Sequence, residues 1–576
     1  MKLKLDRHQV AEVLEEIATL LDLKGENPFK VRAYSNAARV LEGTDEDLGE
    51  LIESGKLAEL KGIGTSLLEQ ISTLATTGRL ARHEELKSEF PPSLFDLLKI
   101  PGLGPKKVKV LYEKLEVKSL GELEYACREN RLLKLEGFGE KTQQKVLDGI
   151  AYVRRNQGSF LYGSIIDRGE SLLSLIRKLP GVRQASLGGS LRRGREIVRD
   201  IDLLCSSSKP AGICKRFLKL QGVQEVLAEG ETKASVRLED GLQVDLRVVS
   251  EEEYPFALQY FTGSKDHNTE LRALAKAQDF KLNEYGLFKG EKRVACRSEE
   301  EIYRKLGLHY IPPELREASG EIDAARNGAF PDLVELKDLR GVLHVHTSFS
   351  DGRNSLAEML QAVSDMGLEY VGIADHSPSA AYAHGLREAD LERQKEELDR
   401  LQKKYPKLRI FWGTESDIQA DGSLDFPDRI LKGFDFVVAS IHSRFNMPEA
   451  EMTKRCLRAL ENPYCTMIGH PTGRLLLARE GFKVNLHALI DRAAQLGKFM
   501  ELNAHPQRLD LDWRVLPYAR LKGVRISINP DAHDVEGLKD IRFGVNTARK
   551  GGLTKNDVLN TLLAAQMEKA LEKAKA

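Results

Sequence analysis

Three aspartates in the middle of the chain have the spacing of a metal-binding catalytic site. Asp200 and Asp202 are separated by one residue in the strand-like run VRDIDLL at 198–204, so a β-strand would place both carboxylates on one face. Asp245 lies in a second strand-like run, LQVDLRVV at 242–249. Three converging carboxylates supply the shared oxygen ligands that a pair of Mg²⁺ ions requires. The pattern therefore predicts a two-metal site for phosphoryl transfer.

A glycine-rich segment precedes the aspartates and could hold the phosphate of a substrate. The segment GGSLRRG covers 188–194, and glycines such as Gly189 let backbone N–H groups approach an anion closely. Ser190 and Arg193 add side-chain donors that suit phosphate. A glycine turn or an Asp-x-Asp pair is common by itself. The two in this order, with a third aspartate in its own strand, indicate nucleotidyl transfer.

A second candidate metal site lies in the C-terminal part of the chain. Nine of the 13 histidines fall between His344 and His533, an enrichment that an ordinary protein surface does not need. Six of them, with three carboxylates, form a mixed nitrogen and oxygen set that suits Mn²⁺, Zn²⁺ or Fe²⁺. The nine candidate ligands are His344, His346, Asp351, His376, Glu415, His442, His470, Asp531 and His533. Nine ligands exceed the need of one ion, so we expect two or three ions, with Glu415 as a bridging ligand.

The elements that position these ligands follow an alternating pattern. Nearly every ligand comes just after a short apolar or β-branched run, and helix-like segments such as 356–366 and 391–404 separate the runs. Polar residues at the carboxyl ends of alternating strands are typical of a (β/α) barrel with its site on that face. We expect the other histidines of this region, His384, His487 and His505, to be partly buried residues without a metal role.

Three Gly-x-Gly segments near the N-terminus predict contacts with a nucleic-acid backbone. Each lies between two helix-like segments, and the glycines permit a tight hairpin whose N–H groups face a phosphate. The candidate contact residues are Gly62, Gly64, Gly102, Gly104, Lys106, Gly137 and Gly139. Residues 97–160 contain 13 Lys and Arg against 8 Asp and Glu, a local positive balance. We expect nonspecific, salt-sensitive binding to DNA.

Composition places the chain among multidomain cytoplasmic proteins. Its 576 residues are too many for one core, and 41% hydrophobic and 30% charged residues are typical of globular domains. The net charge is zero. The sequence has no apolar run of the ~20 residues that a membrane span needs, and no apolar signal core. Six scattered cysteines without a Cys-x-x-Cys pair indicate free thiols in a reducing cytosol.

The glycine turn and the three aspartates, in this order, resemble the palm of the family X DNA polymerases. The segment YFTGS at 260–264, with Asn268, Arg272 and the run NEY at 283–285, is similar to the nucleotide-binding start of that family's last polymerase subdomain. The resemblance implies nucleotide-binding roles for five residues. Tyr260, Phe261 and Gly263 would line the sugar pocket and discriminate against a ribose 2′-hydroxyl, Asn268 would contact the incoming base, and Arg272 the template side.

The nine-ligand set resembles the polymerase-and-histidinol-phosphatase (PHP) domain, which bacterial family X polymerases carry at the C-terminus. All nine ligand positions of that pattern are filled in this sequence. The implied chemistry is metal-assisted hydrolysis of a phosphodiester or phosphomonoester. Arg474, Asn503 and Arg508 are weaker candidates for holding the scissile phosphate.

The N-terminal segment departs from the family pattern at one position. Residues 27–34, NPFKVRAY, resemble the phosphate-binding helix of the family's lyase domain. The lysine that would form a Schiff base with an abasic site corresponds to Gln70 in this chain. An amide cannot form an imine, so we expect little or no lyase activity.

The two resemblances cover almost the whole chain and predict a multidomain fold. Helical N-terminal domains with helix-hairpin-helix motifs precede an α+β nucleotidyltransferase palm and a C-terminal (β/α) PHP barrel. The expected boundaries are a helical lyase-like DNA-binding domain at 1–85, a helix-hairpin-helix fingers-type domain at 86–157, the palm at 158–250, a thumb-type nucleotide-binding subdomain at 251–315, a linker at 316–335, and the barrel at 336–576.

The function implied is a cytoplasmic, bacterial-type repair polymerase that fills short gaps. Its expected partners are gapped or primed DNA and dNTPs, without a membrane, and it is expected to be monomeric. Mg²⁺ is expected in the palm, and two or three Mn²⁺ or Zn²⁺ ions in the barrel, which would give a manganese-dependent 3′→5′ exonuclease or 3′-end phosphatase and an abasic-site endonuclease. The alternatives are a nucleotidyltransferase acting on RNA ends and a barrel that is only structural. A histidinol-phosphatase-like enzyme would leave the first 310 residues unexplained.

Overall fold

The chain forms two compact units, residues 1–157 and 158–576. The computed structural model describes residues 3–44, 48–60, 62–128, 131–156, 158–239, 241–328, 330–477 and 479–575. Among these residues, no helix combines the length and the apolar character needed to cross a bilayer. The six cysteines are buried free thiols.

The first unit is helical throughout its described part. Its helices are α1 (Arg7–Lys24), α2 (Pro28–Glu42), α3 (Leu48–Glu53), α4 (Thr65–Thr77), α5 (Ala81–Ser88), α6 (Phe95–Leu98), α7 (Pro105–Leu115), α8 (Leu120–Arg128) and α9 (Glu140–Asn156). The N-terminal end of α1 is fixed by a capping box between Asp6 and Gln9. Helices α1–α5 mainly enclose one apolar core and α6–α9 a second, which confirms the helical N-terminal domains.

The second unit begins with a mixed sheet that carries the three aspartates. Its elements are β1 (Phe160–Leu161), α10 (Tyr162–Arg177), β2 (Val182–Leu187), α11 (Gly189–Arg192), β3 (Ile197–Val198), β4 (Asp200–Ser207), α12 (Pro210–Phe217), β5 (Val223–Glu229), β6 (Lys233–Leu238) and β7 (Gln243–Val249). The five-stranded sheet has the order β2-β4-β7-β6-β5, in which β4 and β7 are parallel and the other pairs antiparallel. Residues of α10 and α12 cover its apolar face, as an α+β palm requires.

A small α+β subdomain follows the palm sheet. It contains α13 (Tyr254–Thr262), α14 (Lys265–Ala277), β8 (Phe280–Asn283), β9 (Gly286–Lys289), β10 (Lys292–Val294), α15 (Glu299–Lys305) and α16 (Glu321–Asn327). Ser264 caps α14 by accepting a hydrogen bond from the His267 amide. The segment 316–335 includes α16, whose Ile322 and Ala325 join the apolar core of this subdomain.

The rest of the chain forms a parallel barrel. Its elements are β11 (Gly341–Val345), α17 (Leu356–Asp365), β12 (Tyr370–Ile373), α18 (Glu388–Lys404), β13 (Arg409–Asp417), α19 (Asp428–Leu431), β14 (Phe436–Ser440), α20 (Glu449–Glu461), β15 (Met467–Ile468), α21 (Leu486–Leu496), β16 (Phe499–Asn503), α22 (Leu516–Leu521), β17 (Ile526–Asn529), α23 (Ile541–Lys550) and α24 (Ala564–Ala574). The seven strands pair in chain order, and a bridge between Val345 and Ala532 connects the two ends of the sheet. The expected (β/α) barrel is thereby confirmed.

The barrel is apolar at one end and polar at the other. Tyr370, Phe411 and Phe436 are fully buried in a cluster with Met567 and Leu571 of α24, which closes the amino-terminal end of the strands. The candidate ligands lie at the opposite, carboxyl-terminal end, because each follows or ends its strand.

Candidate functional site

The palm sheet brings the three aspartates together. In the parallel pair β4 and β7, Asp202 lies directly opposite Asp245, and Asp200 lies opposite Gln243. Side chains two residues apart share a face of a strand, so all three carboxylates point to the same side of the sheet. Strand β7 pairs with β4 along one edge and with the antiparallel strand β6 along its other edge, and β6 places Ser235 directly opposite Asp245.

Neighbouring polar side chains fix Asp245. Ser235 donates a hydrogen bond to Asp245 Oδ1, and Gln243 Nε2 donates to Asp245 Oδ2 over 3.0 Å. Neither Ser235 nor Gln243 was expected from the sequence. The pairing register of β6, β7 and β4 shows that both side chains lie beside Asp245. In the sequence, Gln243 could have been found because it is two residues from Asp245 and so shares its face of the strand.

The electrostatics of the trio favour a cation. Burial raises the pKa of Asp202 to about 7, and the nearby Asp200 and Asp245 carboxylates add to this shift. Burial and Asp245 also raise the pKa of Asp200. Like charges held together in a partly buried cleft are stabilised by a divalent ion, so the residues present suit Mg²⁺.

Gly189 connects the glycine-rich turn to the aspartates. Gly188 N–H donates to the backbone oxygen of Asp202 over 2.8 Å, which holds the turn against β4. Gly189 has φ +56°, and a Cβ there would lie 1.9 Å from Asp202 Oδ2. Ser190, half-buried in the short helix α11, follows directly. Only glycine fits this position without displacing a candidate metal ligand.

Arg193 is held between the turn and the following subdomain. Its Nη1 donates to the Thr262 carbonyl over 2.5 Å, and its Nε donates to Glu317 Oε1 over 3.0 Å. A Cβ on Gly263 would lie 2.9 Å from Arg193 Nη1. The structure therefore brings two of the expected nucleotide-binding residues into direct proximity.

Of the three expected sugar-pocket residues, Phe261 lines a cleft beside the aspartates, and Tyr260 packs against its ring. The rings of Tyr260 and Phe261 are edge to face, with centroids 5.2 Å apart. A cleft of about 70 Å³ includes Asp202, Asp245 and Phe261 in its lining, together with Lys233 and Arg247. Sequence reasoning missed these two cations, because strand lysines and arginines usually face solvent.

Asn268 and Arg272 lie on helix α14, which begins at Lys265, shortly after Tyr260 and Phe261. Asn268 is buried, and its Nδ2 donates to the Tyr260 carbonyl over 2.7 Å while Gln259 donates to its Oδ1. Arg272 is exposed, and its Nε donates to the Asn268 carbonyl over 3.1 Å. In this structure Asn268 anchors the C-terminal end of α13.

The nine candidate ligands converge at the carboxyl end of the barrel strands. Ligand atoms within 4.8 Å of one another form three groups, and His346 and His376 each take part in two of them. The groups are His346, Asp351, His376 and His533; His344, His346 and Asp531; and His376, Glu415 and His442. His470 joins them through its Nε2, which lies 2.9 Å from Glu415 Oε1.

Glu415 lies at the centre of the cluster. Its Oε1 approaches His442 Nε2 at 3.4 Å, and its Oε2 approaches His376 Nδ1 at 3.0 Å and His344 Nε2 at 3.4 Å. These surrounding imidazoles hold the pKa of Glu415 well below its usual range, although burial opposes that shift. An anionic carboxylate flanked by imidazoles on both oxygens has the position of a bridging ligand.

The chemistry of the donors fits metal ions. Within the described part of the chain, the buried atoms His346 Nδ1 and His470 Nδ1 have no hydrogen-bond partner. Burial, with His533 and His376 close by, lowers the pKa of His346 to about 3, so its imidazole is neutral and able to bind a metal. A buried nitrogen that lacks a partner is costly, and coordination would remove that cost.

A second layer of polar residues orients the ligands. Glu501 Oε1 lies 2.6 Å from His344 Nδ1, and Glu501 Oε2 accepts the His470 amide over 2.6 Å. Asp417 lies 2.7 Å from His442 Nδ1, and Asn503 Nδ2 donates to Asp531 Oδ2 over 2.9 Å. Such partners fix the imidazole orientation and raise ligand basicity.

Three ligands adopt a left-handed backbone conformation that non-glycine residues rarely occupy. The φ values are +57° at His344, +53° at Asp531 and +23° at His470. Strained backbone of this kind concentrates at functional sites, where the surrounding structure over-determines it.

The two arginines among the weaker candidates for phosphate binding differ in whether their guanidinium groups are free to contact a substrate. Arg474 donates to Asp512 Oδ2 over 2.5 Å and to the Arg508 carbonyl over 2.8 Å, so its guanidinium is already used to hold a loop. Arg508 is half-buried, and its Nε lies 3.6 Å from Asp531 Oδ2 at the edge of the cluster. Of the two arginines, Arg508 is the better placed for a substrate phosphate.

The three Gly-x-Gly segments form hairpins between helices. Gly62, Gly102 and Gly137 have positive φ. The second glycine of each motif immediately precedes a helix: Gly64 before α4, Gly104 before α7 and Gly139 before α9. Lys106 is exposed in the first turn of α7. Lys61, which is part of the first motif, lies outside the described residues.

Gln70 occupies the position expected for a Schiff-base lysine. Tyr34 Oη donates to Gln70 Oε1 over 2.9 Å, and Gln70 Nε2 donates to the Ser66 carbonyl over 3.2 Å. The amide is thus held by the two helices α2 and α4, and no amine takes its place.

Comparisons with known proteins identify related domains and relatives of this chain. Family models match for a helix-hairpin-helix domain at 6–80, a SAM-like helix-hairpin-helix tandem at 94–151, the DNA polymerase beta thumb at 257–317 and the PHP domain at 343–505. The chain is 38% identical over 571 residues to a protein of Bacillus subtilis named DNA polymerase/3'-5' exonuclease PolX, covering 98% of this chain and 99% of that one. It is also 33% identical over 138 residues to the repair DNA polymerase X of African swine fever virus, which covers 22% of this chain and 78% of that one.

Proposed function

The chain belongs to the bacterial family X DNA polymerases that carry a C-terminal PHP domain, and we propose that it fills short gaps in DNA during repair. The observation that supports polymerisation most directly is the register of β4 and β7, which sets Asp202 opposite Asp245 beside the glycine turn. The proposed substrates are gapped or primed DNA and dNTPs, and the protein is proposed to act as a cytoplasmic monomer.

In the palm, the three aspartates would hold two Mg²⁺ ions. Such ions supply positive charge around the α-phosphate and the primer 3′-hydroxyl. Asp200 and Asp202 are the proposed shared ligands, and Asp245, fixed by Ser235 and Gln243, faces the primer terminus. The 3′-hydroxyl attacks the α-phosphate in line, and pyrophosphate leaves.

The nucleotide is proposed to lie between the turn and helices α13 and α14. Ser190, Arg193 and the N–H of Gly189 donate to the triphosphate. Tyr260, Phe261 and Gly263 line the sugar pocket. Asn268 faces the base and Arg272 the template side, and the hydrogen bond from Asn268 to Tyr260 keeps the two regions in register.

The barrel is proposed to supply the 3′→5′ exonuclease, with 3′-end phosphatase and abasic-site endonuclease as further activities of the same centre. Its nine ligands would hold two or three Mn²⁺ or Zn²⁺ ions, which polarise a phosphate and activate water. Glu501, Asp417 and Asn503 hold the ligands in place, and Arg508 is proposed to bind the phosphate.

The first unit is proposed to bind the DNA backbone through its hairpins. Backbone N–H groups at the start of α4, α7 and α9, with Lys106, would contact phosphates. Because Gln70 is at the position where a Schiff-base lysine is expected, we predict that this unit lacks the Schiff-base lyase activity. Borohydride trapping of the full chain on abasic DNA tests this prediction, and a covalent adduct would contradict it.

Separation-of-function variants test the two-site proposal. Asp202→Ala should reduce gap filling by about a thousandfold, because loss of several kcal/mol of charge stabilisation has that effect on rate. It should leave exonuclease activity intact. Glu415→Gln should have the opposite effect, and Asp399→Ala, at the surface of α18, should change neither.

The measurements are primer extension on a gapped duplex and release of a labelled 3′ nucleotide, in Mg²⁺ and in Mn²⁺. One substitution that removed both activities from a folded protein would contradict two independent sites. Faster extension with rNTPs than with dNTPs would favour an RNA-end nucleotidyltransferase. A wild-type protein without 3′-end hydrolysis would identify the barrel as structural.

A further inference from the structure

Helix α23 of the barrel lies directly against the glycine-rich turn of the palm. Asn546 Nδ2 donates to the Gly194 carbonyl over 3.2 Å. Gly194 has φ +64°, and a Cβ there would lie 2.5 Å from the amide atoms of Asn546. The last residue of the turn is therefore shaped to fit a helix of the other domain.

Lys550, at the end of α23, reaches three oxygens beneath the turn. It is 3% exposed. Its Nζ donates to the Arg193 carbonyl over 3.1 Å, to the Glu314 carbonyl over 3.2 Å and to Glu317 Oε1 over 2.6 Å. The Trp513 ring lies 4.6 Å from the ammonium and covers it on another side. A buried lysine with this set of partners contacts the backbone of the very residue that is proposed to bind the triphosphate.

Glu317 is shared by three cations. Arg193 Nε lies 3.0 Å from its Oε1, Arg195 Nη1 lies 3.4 Å from its Oε2, and Lys550 Nζ lies 2.6 Å from its Oε1. Lys550 is the nearest of the three. Arg195 has a second carboxylate partner, because its Nε lies 3.8 Å from Glu196 Oε2. Arg193 and Lys550 therefore share Oε1 of Glu317 as their common partner.

Because Lys550 and Arg193 share the Glu317 carboxylate, Lys550 affects how strongly the positive charge of Arg193 can attract a bound anion. In a weakly polar interior, a carboxylate 3.0 Å away would neutralise most of the field of a lone guanidinium. A second cation on the same Oε1 weakens that pairing. It leaves Arg193 oriented by its Nε bond and by the Thr262 carbonyl, with positive charge available for an anion.

We propose that Lys550 is a positioning residue for the polymerase reaction, which acts through Glu317 to keep Arg193 oriented and cationic toward the incoming triphosphate. The barrel would then have a second task, as the support of the nucleotide site in the neighbouring domain. This inference rests on the proposed role of Arg193 in binding the triphosphate.

Steady-state kinetics on the full-length protein test the inference. Lys550→Met keeps the length of the side chain and removes its charge, so the KM for dNTP in gap filling should rise about tenfold while kcat changes less than about twofold. Lys550→Arg should stay within about twofold of the wild-type KM. Exonuclease activity should be unchanged in both variants.

The chain offers a matched control. Lys498 is also buried in the barrel, where its Nζ donates to the carbonyls of Asn462, Pro463 and Cys465. Lys498→Met removes the same charge from a comparable setting away from the turn. The KM for dNTP should stay at the wild-type value, and an equal rise in this variant would show a general effect of barrel destabilisation.

Glu317→Gln separates electrostatics from packing, since glutamine retains an acceptor oxygen but lacks the charge. On the Lys550→Met background it should restore most of the wild-type KM, because the carboxylate left without Lys550 is the cause of the defect. Alone it should leave the KM equal to or below that of the wild type. A tenfold increase from Glu317→Gln alone would overturn the inference.

The pH dependence of the KM for dNTP gives a second test, which begins with the wild-type protein. Burial lowers the pKa of Lys550 to about 8, with Arg195 and Arg193 adding to this effect and Glu317 opposing it. The groups facing the ammonium are Glu317, Arg193, Arg195, Trp513 and the Glu314 carbonyl. The KM for dNTP should therefore rise between pH 7 and pH 9, and Lys550→Arg should flatten that rise.

The outcomes distinguish this inference from the function on which it rests. If Asp202→Ala still fills gaps, the polymerase site itself is misassigned. If the wild type fills gaps and Lys550→Met folds with an unchanged KM for dNTP, only the role of Lys550 is wrong.

Discussion

Gly189 connects the glycine turn to the three aspartates that are proposed to be catalytic. Gly189→Ala would place a methyl group 1.9 Å from Asp202 Oδ2 in a backbone conformation with φ +56°. Either the carboxylate or the turn must then move. We expect a loss of gap filling of at least about a hundredfold, since a misplacement of 1 Å has that effect on a reaction rate. Exonuclease activity should be retained.

A second glycine of the palm provides the control. Gly212 lies in α12, and a Cβ there meets nothing within 4 Å. Gly212→Ala should leave both activities unchanged and could add roughly 0.5–1 kcal/mol of stability, because alanine loses less backbone entropy in a helix. Equal activity of Gly189→Ala and wild type in primer extension would contradict the assigned geometry.

Glu501 is the residue in the barrel whose role is clearest from its contacts alone. Its two oxygens hold His344 Nδ1 and the His470 amide. Glu501→Gln would turn an N–H group toward one of these donors, so we expect metal affinity to fall by about ten- to a hundredfold. Isothermal titration with Mn²⁺ measures this change, and Glu461→Gln on the exposed side of α20 is the control. Undiminished affinity would show that Glu501 does not orient the ligands.

Single residues differ in how far the sequence reveals them. Asp200 and Asp202 were predicted because side chains alternate along a strand, and both lie on β4. His344 and His346 were predicted because they come at the end of an apolar run, and they lie at the end of β11 and directly after it. Ser235, Glu501 and Asp417 were missed, because each acts only through a residue on another strand. Their roles depend on register, which one sequence does not contain.

At the level of strands and helices, local patterns predicted individual segments. The helix-like run 356–366 corresponds to α17, and the structure shows that a capping box between Ser355 and Glu358 begins this helix. The parallel pairing of β4 with β7 joins segments about 40 residues apart and has no local signal. The sequence therefore predicted that these two segments are strands, but their pairing in the sheet came only from the structure.

We expect the hairpin before α7 to contribute to DNA binding through Lys106. Lys106 is exposed in the first turn of a helix whose N-terminal N–H groups are proposed to face a phosphate. Lys106→Ala should weaken binding equally for all sequences and reduce the slope of log K against log salt by about 0.9, the value for one phosphate contact.

Fluorescence anisotropy over a range of salt concentrations measures that slope. Lys87→Ala is a suitable control, because Lys87 pairs with Glu16 on a different helix of the same unit. An unchanged slope for Lys106→Ala would exclude this lysine from the interface with the phosphate backbone.

Across the whole chain, the motifs predicted the order of the domains, but not that the palm and the barrel pack together as one compact unit. The Gly-x-Gly segments mark the N-terminal domains, the glycine turn and the three aspartates mark the palm, and the histidine set marks the barrel. The palm and barrel nevertheless form a single unit at 158–576. Hydrogen bonds such as those from Trp513 Nε1 to Glu196 and from Lys550 Nζ to the Arg193 carbonyl join them. Such contacts use ordinary residues in ordinary helices and loops, so no pattern in the sequence marks them.

We expect metal ions to change the thermal stability of one compact unit and not of the other. Both proposed metal centres lie in 158–576, so Mn²⁺ should stabilise that unit by about 2.7 kcal/mol at a free concentration of about a hundred times Kd, while unfolding of 1–157 should not shift. Differential scanning calorimetry of the full chain, with and without a chelator, measures both transitions. Asp202→Ala should keep most of the shift, because the barrel ligands remain. Glu415→Gln should lose most of it, since Glu415 contacts five of the barrel histidines. A shift confined to the 1–157 transition, or one that Glu415→Gln leaves intact, would show that the barrel cluster is not the main metal site.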